Sequence, residues 1–172
     1  MVVTVDTTVG GADANSYITI QEFKDFLLIR SNVPTTISGA TDDTITKWIL
    51  QACREIDLHA FKGVKYVTGI DADGNPEQAL EFPRNYTRST NGGYVPLSVR
   101  YAQCEQALEI ARFEAAGQDR EDREIVQSFS RGGVSVSFRD RSSEQKSILA
   151  EKAKYYLQVH LASSAGTVQL VR

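Results

Sequence analysis

The sequence predicts a mainly α fold: a four-helix core with one or two small β-hairpins and extended termini. Three observations predict it. Thr19 and Glu22, a hydroxyl and a carboxylate three residues apart, head a run of apolar residues at helical spacing. An apolar stripe begins at Leu97 and steps by 4, 3, 4, 3, 4 through Tyr101, Cys104, Leu108, Ala111 and Ala115. Val134, Val136 and Phe138 alternate with Ser135, Ser137 and Arg139, the period of a half-buried strand.

The first fifteen residues hold Gly10-Gly11 and little periodicity, and read as an extended arm. The capping box at Thr19 opens a helix over about 19–30, with Ile20, Phe23 and Leu27 on its inner face and Asn32-Val33-Pro34 as its stop. Asp42 and Asp43 lie where carboxylates accept free backbone N–H groups and complement the helix dipole. Ile45, Ile49, Ala52 and Ile56 follow at steps of 4, 3, 4, so a second helix is expected over about 42–60, with Gly63 as its end signal. Val64–Val67 reads as a strand and Asp71–Pro76 as a turn, so a short hairpin is expected within 64–82.

Pro96 suits a first helical turn, where its missing N–H costs nothing. The helix it opens runs over about 96–116 and stops at Gly117. A mixed charge run, QDREDRE, leads to a hairpin over about 125–139 turned by Gly132-Gly133. Ser142 or Ser143 caps a last helix to about 162, with Leu149, Ala153, Tyr156, Leu157 and His160 inward. Residues 1–162 are therefore expected to form one helical domain with an embedded hairpin, and 163–172 a flexible C-terminal tail.

Composition excludes several function classes. The net charge is −3, which gives no strongly basic nucleic-acid footprint. The charge is uneven: residues 1–83 carry 12 acids and 6 bases, residues 84–172 carry 10 acids and 13 bases. Such asymmetry fits two ends with different partners, or head-to-tail self-packing. No apolar run reaches the length of a membrane span, and the N-terminus lacks the pattern of a signal peptide, so synthesis in a cytoplasm is expected. Cys53 and Cys104 match neither a zinc site nor a disulfide framework and read as buried thiols.

Catalytic machinery is not visible. Asp71, Asp73 and Asn75 invite a calcium loop, but counted from Asp71 the Gly is fourth rather than sixth, and Phe82 stands twelfth, where a glutamate is needed. His59 and His160 are the only histidines, each near a predicted helix end and in no HxxxH or HExxH pattern. No nucleophile elbow, phosphate loop or dinucleotide fingerprint occurs. No enzyme, metal or cofactor is expected. The stretch LEFPRNYTRSTNGGYVPLSVR, residues 80–100, interleaves Arg84, Tyr86, Arg88 and Tyr94. Such interleaving serves single-strand platforms and protein interfaces alike. Residues 84–141 hold nine bases against eight acids, a weak field for phosphate, so inter-subunit contact is the expectation for these four residues.

The order of the segments adds a resemblance. Asp13–Thr19 (DANSYIT), Ala52–Asp57 (ACREID), Leu80–Arg84 (LEFPR), a Val95-Pro96 helix start with Ala102 and Ala107, and the Val134–Phe138 strand before a last helix resemble head–tail connector, or adaptor, proteins of tailed bacteriophages. Relatives in that family are often labelled as similar to a primosomal single-strand-binding protein. The likeness spans about 13–162, and the ordered set carries it rather than any single motif; the family often has Trp where this chain has Phe82. It implies a structural virion protein in the phage neck: a homo-oligomeric ring, usually of twelve, between portal protein and tail or tail-completion protein, with DNA passing through its lumen without sequence recognition. No membrane is involved. Within that reading the apolar tail Thr167, Val168, Gln169, Leu170 and Val171 is expected to add to a strand edge on the portal or a neighbour. The alternative is a single-stranded-DNA-binding accessory protein.

Overall fold

The structure, a computed structural model, describes residues 3–67, 69, 74, 77–89, 92–117, 128–131, 134–137 and 149–162; for 87–89, 92, 128–131 and 134–137 it describes the backbone only. The described chain is mainly helical, as the sequence predicts. Helix α1 spans Ile20–Leu28 and begins with the expected capping box: Thr19 Oγ1 accepts the Glu22 N–H at 3.2 Å and Glu22 Oε2 accepts the Thr19 N–H at 2.7 Å. Phe23, Phe26 and Leu27 are its buried face. Helix α2, Thr35–Ser38, was not expected. A single turn with one buried apolar residue, Ile37, is too short to show a period.

Helix α3 spans Asp42–Asp57, with Thr41 Oγ1 accepting the Thr44 N–H. It stops short of the expected 60. Gly63 is not its end signal but a separate turn at φ 71°, with the Asn85 side chain where a β-carbon would stand. The hairpin expected within 64–82 also takes another form. Val64–Tyr66 pairs antiparallel with Pro83–Asn85, through Tyr66 N–H to Pro83 O and Asn85 N–H to Val64 O, both 3.0 Å. The Phe82–Pro83 peptide is cis. The Asp71–Asp73 and Asn75 positions of the turn lie outside the described residues.

A 3₁₀ turn at Asn85–Thr87 leads into a two-residue ladder, β1 (Arg88–Ser89) with β2 (Gly92–Gly93). Helix α4, Leu97–Ala115, follows Pro96 as predicted. Strands β3 (Ser128–Arg131) and β4 (Val134–Ser137) form the expected hairpin, with Ser128 opposite Ser137 and Arg131 opposite Val134. Helix α5 is described over Glu151–Leu157, with Ala153 and Leu157 buried; residues 143–148 of the expected helix lie outside the described set. His160 falls beyond the helix end rather than on its inner face. Past it, Lys62 N–H donates to His160 O and Ala162 N–H to Ala60 O, so the segment after α5 is paired to the segment after α3.

Helix α4 packs against both α3 and α5 and serves two apolar cores. Cys104, Ala107, Leu108, Ile110 and Ala111 join Phe23, Phe26, Ile37, Ile45, Trp48 and Ile49 in the first. Val99 and Ala102 join Tyr17, Ile56, Phe61, Phe82, Ala153 and Leu157 in the second. A helix enclosed on several sides must bury polar side chains, and each needs a partner. Gln103 bridges the arm and α3: its Nε2 donates to Ser16 Oγ and Ile49 O, and its Oε1 accepts the Tyr17 N–H. Gln106 donates to Glu55 and accepts the Ala150 N–H that opens α5. Glu105 pairs with Arg30, whose guanidinium also lies over the Phe26 ring at 4.6 Å.

Candidate interaction surface

The four residues expected at an inter-subunit contact separate in the structure. Arg84 is only 5% exposed. Its Nε donates to Lys62 O at 2.6 Å, Nη2 to Gly63 O at 2.6 Å and Phe61 O at 3.2 Å, and Nη1 to Glu81 Oε2 at 2.6 Å. The guanidinium thus satisfies the carbonyls of the turn after α3 and pairs with Glu81. Within the subunit the charge of Arg84 is turned inward. An Arg before an exposed turn reads as surface material, and nothing local in the sequence reveals three consecutive carbonyls aimed at it.

Tyr86 and Tyr94 do stand at the surface, 44% and 51% exposed. Arg88 is placed by its backbone in β1, and its side chain is outside the described set; Thr167–Val171 are outside it altogether. Tyr86 stacks on the His160 ring at 5.9 Å between centroids and 17° between planes. His160 Nε2 lies 2.7 Å from Ser98 Oγ in the first turn of α4. One turn along that helix, Tyr101 meets Tyr156 at 5.7 Å, and Tyr156 meets Tyr155 at 5.9 Å. An aromatic surface therefore crosses from the 85–87 turn over α4 to α5. Tyr155, 68% exposed, is its outer edge. The stripe reading of the sequence placed Tyr101 and Tyr156 inward. Tyr156 is half-buried and packs against the second core, as expected, whereas the amphipathic Tyr101 ring is exposed.

The charges around this surface are largely balanced within the chain. Carboxylates pair with Arg100 (Glu22), Lys154 (Glu151), Lys65 and Arg84 (both Glu81). Lys62 lies beside the His160 end, its Nζ donating to Val159 O at 3.1 Å. Burial, and after it this nearby cation, lower the pKa of His160 and so disfavour its charged form. Beneath the surface, Asp57 accepts from Tyr17 Oη and from the Glu81 N–H, which ties α3 to the segment before Pro83. Burial pushes the Asp57 carboxyl up to about 6. Among the described residues no three His, Cys, Asp or Glu side chains gather to hold a metal, and no helix is long and apolar enough to cross a membrane.

The full chain, residues 1–172, matches the profile of a family described as "Putative DnaT-like ssDNA binding protein". The chain belongs to this family. Membership in the DnaT-like family agrees with the primosomal label noted for the relatives that the segment order resembles. No curated protein and no solved structure matches the chain. In this DnaT-like chain the exposed tyrosines are held by ring contacts: Tyr86 stacks on His160, Tyr101 meets Tyr156 at a tilt and Tyr155 meets Tyr156 edge-on.

Proposed function

We propose that the protein is a binding subunit whose working surface is the tyrosine face of α4, α5 and the 85–87 turn. One observation carries this reading: Tyr86, Tyr101 and Tyr155 are exposed rather than folded into either core. Tyrosine at the surface offers large apolar area at low entropic cost, and it concentrates at protein interfaces. Because several neighbouring cations already face carboxylates, a protein partner fits the face better than a phosphate chain does. In its concrete form this is the head–tail connector: copies assemble into a ring, of twelve by the resemblance, between portal and tail in the virion neck, with DNA passing through. The support for that form is the order of segments along the chain.

Single-stranded DNA is the second reading, and the family description favours it. Exposed tyrosine rings can receive unpaired bases, and Lys62 is a cation at one end of the face. Replacing Tyr86 and Tyr155 together by Ser tests both. Under the connector reading the variant stays folded but fails to form or join a ring when mixed with portal rings, as seen by negative-stain imaging. Wild-type chain then binds oligonucleotides weakly, with little change across a salt series. Tight binding of oligo-dT by the wild type, lost in the variant and weakened by salt, would replace the connector by the DNA reading.

A further inference from the structure

Three segments far apart in sequence meet at Ser98. The hydroxyl is half-buried in the first turn of α4, 2.7 Å from His160 Nε2. The other ring nitrogen, Nδ1, is 3.3 Å from Tyr86 Oη. The imidazole is held on two sides, stacked on Tyr86 and edge-on to Phe82 at 5.5 Å. A hydroxyl, a ring nitrogen within hydrogen-bond reach and a third group that orients the ring form the arrangement that activates a serine. Lys62, whose backbone N–H donates to His160 O, is a cation near this imidazole, and it disfavours a second positive charge there. In the tautomer that donates Nδ1–H to Tyr86 Oη, the Nε2 lone pair accepts the Ser98 proton.

We propose that Ser98 is an activated nucleophile that accepts acyl or phosphonyl groups from activated esters and fluorides, with His160 as its general base and Tyr86 as a positioning residue. In the step, Ser98 Oγ bonds to the electrophilic carbon or phosphorus and its proton passes to His160 Nε2. The leaving group departs with its bonding pair and takes up that proton, which returns His160 to the neutral form. The product is a Ser98 ester, and no oxidant or reductant enters. The inference is independent of the binding reading, since it concerns covalent chemistry at one side chain and requires no partner.

Incubating the full chain with a fluorophosphonate probe and locating adducts by peptide mass spectrometry tests this. Ser98 is expected to be labelled well ahead of the exposed Ser38, at a rate that rises with pH as His160 loses its proton and then levels. His160→Gln is expected to slow labelling by about 100-fold or more, the usual share of a general base. Tyr86→Phe is expected to slow it less and to shift the midpoint of the pH profile. Absence of a Ser98 adduct overturns the inference, as does a wild-type rate without the histidine inflection or an unchanged rate in folded His160→Gln. Should His160→Gln fail to fold, the wild-type pH profile and the Tyr86→Phe shift decide the matter.

Discussion

Arg84→Met is the most informative single substitution. Methionine keeps much of the apolar stem and removes the guanidinium, whose carbon lies over the Phe61 ring at 5.9 Å. Three carbonyls, of Phe61, Lys62 and Gly63, then lose their charged donor, and Glu81 loses a partner at 2.6 Å. Each hydrogen bond to a charged group contributes on the order of 1.5–3 kcal/mol. Lys62, Gly63 and Glu81 are close enough to solvent for water to replace part of this, whereas Phe61 is buried. The loss should therefore fall below the full sum, at about 3–5 kcal/mol, the range for breaking a buried ion pair from one side. Against a total stability of about 5–15 kcal/mol this is a large fraction, and at roughly 2–4 °C per kcal/mol it lowers Tm by about 6–20 °C. Urea unfolding followed by circular dichroism measures it. Arg84→Lys should recover little, because one ammonium cannot span a fork of three carbonyls. A loss under about 1 kcal/mol for Arg84→Met, with helical content intact, would refute the buried role and return Arg84 to the surface contact read from the sequence.

Three further outcomes follow from the same geometry. Asp57 has its folded-state pKa raised to about 6 by burial, so the folded state holds this proton more tightly than the unfolded state does. Its contribution to stability is full below about 4 and is lost as pH rises through 6; wild type should gain stability relative to Asp57→Asn over that fall in pH, measured by urea melts across a pH series. Gly63→Ala should destabilise by about 1–3 kcal/mol, because φ is 71° and a β-carbon would stand 3.0 Å from the Tyr86 ring as well as against Asn85; thermal melts would read it. Cys53 and Cys104 are buried, and burial pushes the Cys104 thiol up to about 12, so neither should react with a disulfide reagent until the chain is unfolded in denaturant.

Much of the fold was legible because it rests on local signals. The Thr19–Glu22 capping box and the Pro96 helix start act over one turn, and both appear where the residues place them. Periodicity located α3, α4 and the β3–β4 hairpin. The failures share a different cause. Helix α2 is one turn long, and the α3 end is set by what the following segment pairs with. Val64–Tyr66 pairs with Pro83–Asn85, beside the buried Arg84 and Phe82, and between the two segments the Glu77 N–H donates to Gly69 O at 3.0 Å.

The candidate site was the less legible part, and the reason is physical. Tyr86 and Tyr94 could be singled out because they interleave with Arg84 and Arg88 within one short stretch. Ser98 and His160 could not, because they stand 62 residues apart, and Tyr86 and His160 stand 74 apart. The packing of α5 on α4, together with His160–Ala162 pairing back to Ala60–Lys62, carries the imidazole to the hydroxyl. The buried polar residues of α4 play a part in this. Gln106 accepts the Ala150 N–H and so fixes where α5 begins. Seven residues of helix then set where it ends, and His160 follows within three. A glutamine on the buried side of the longest helix thus positions a surface histidine. Gln106→Leu, similar in volume but unable to accept, should leave α4 folded and loosen α5, and the Tyr86–His160 stack should loosen with it. Ring proton shifts of His160 in NMR would report that change; unchanged shifts would mean that the Ala60–Lys62 pairing alone holds the histidine in place.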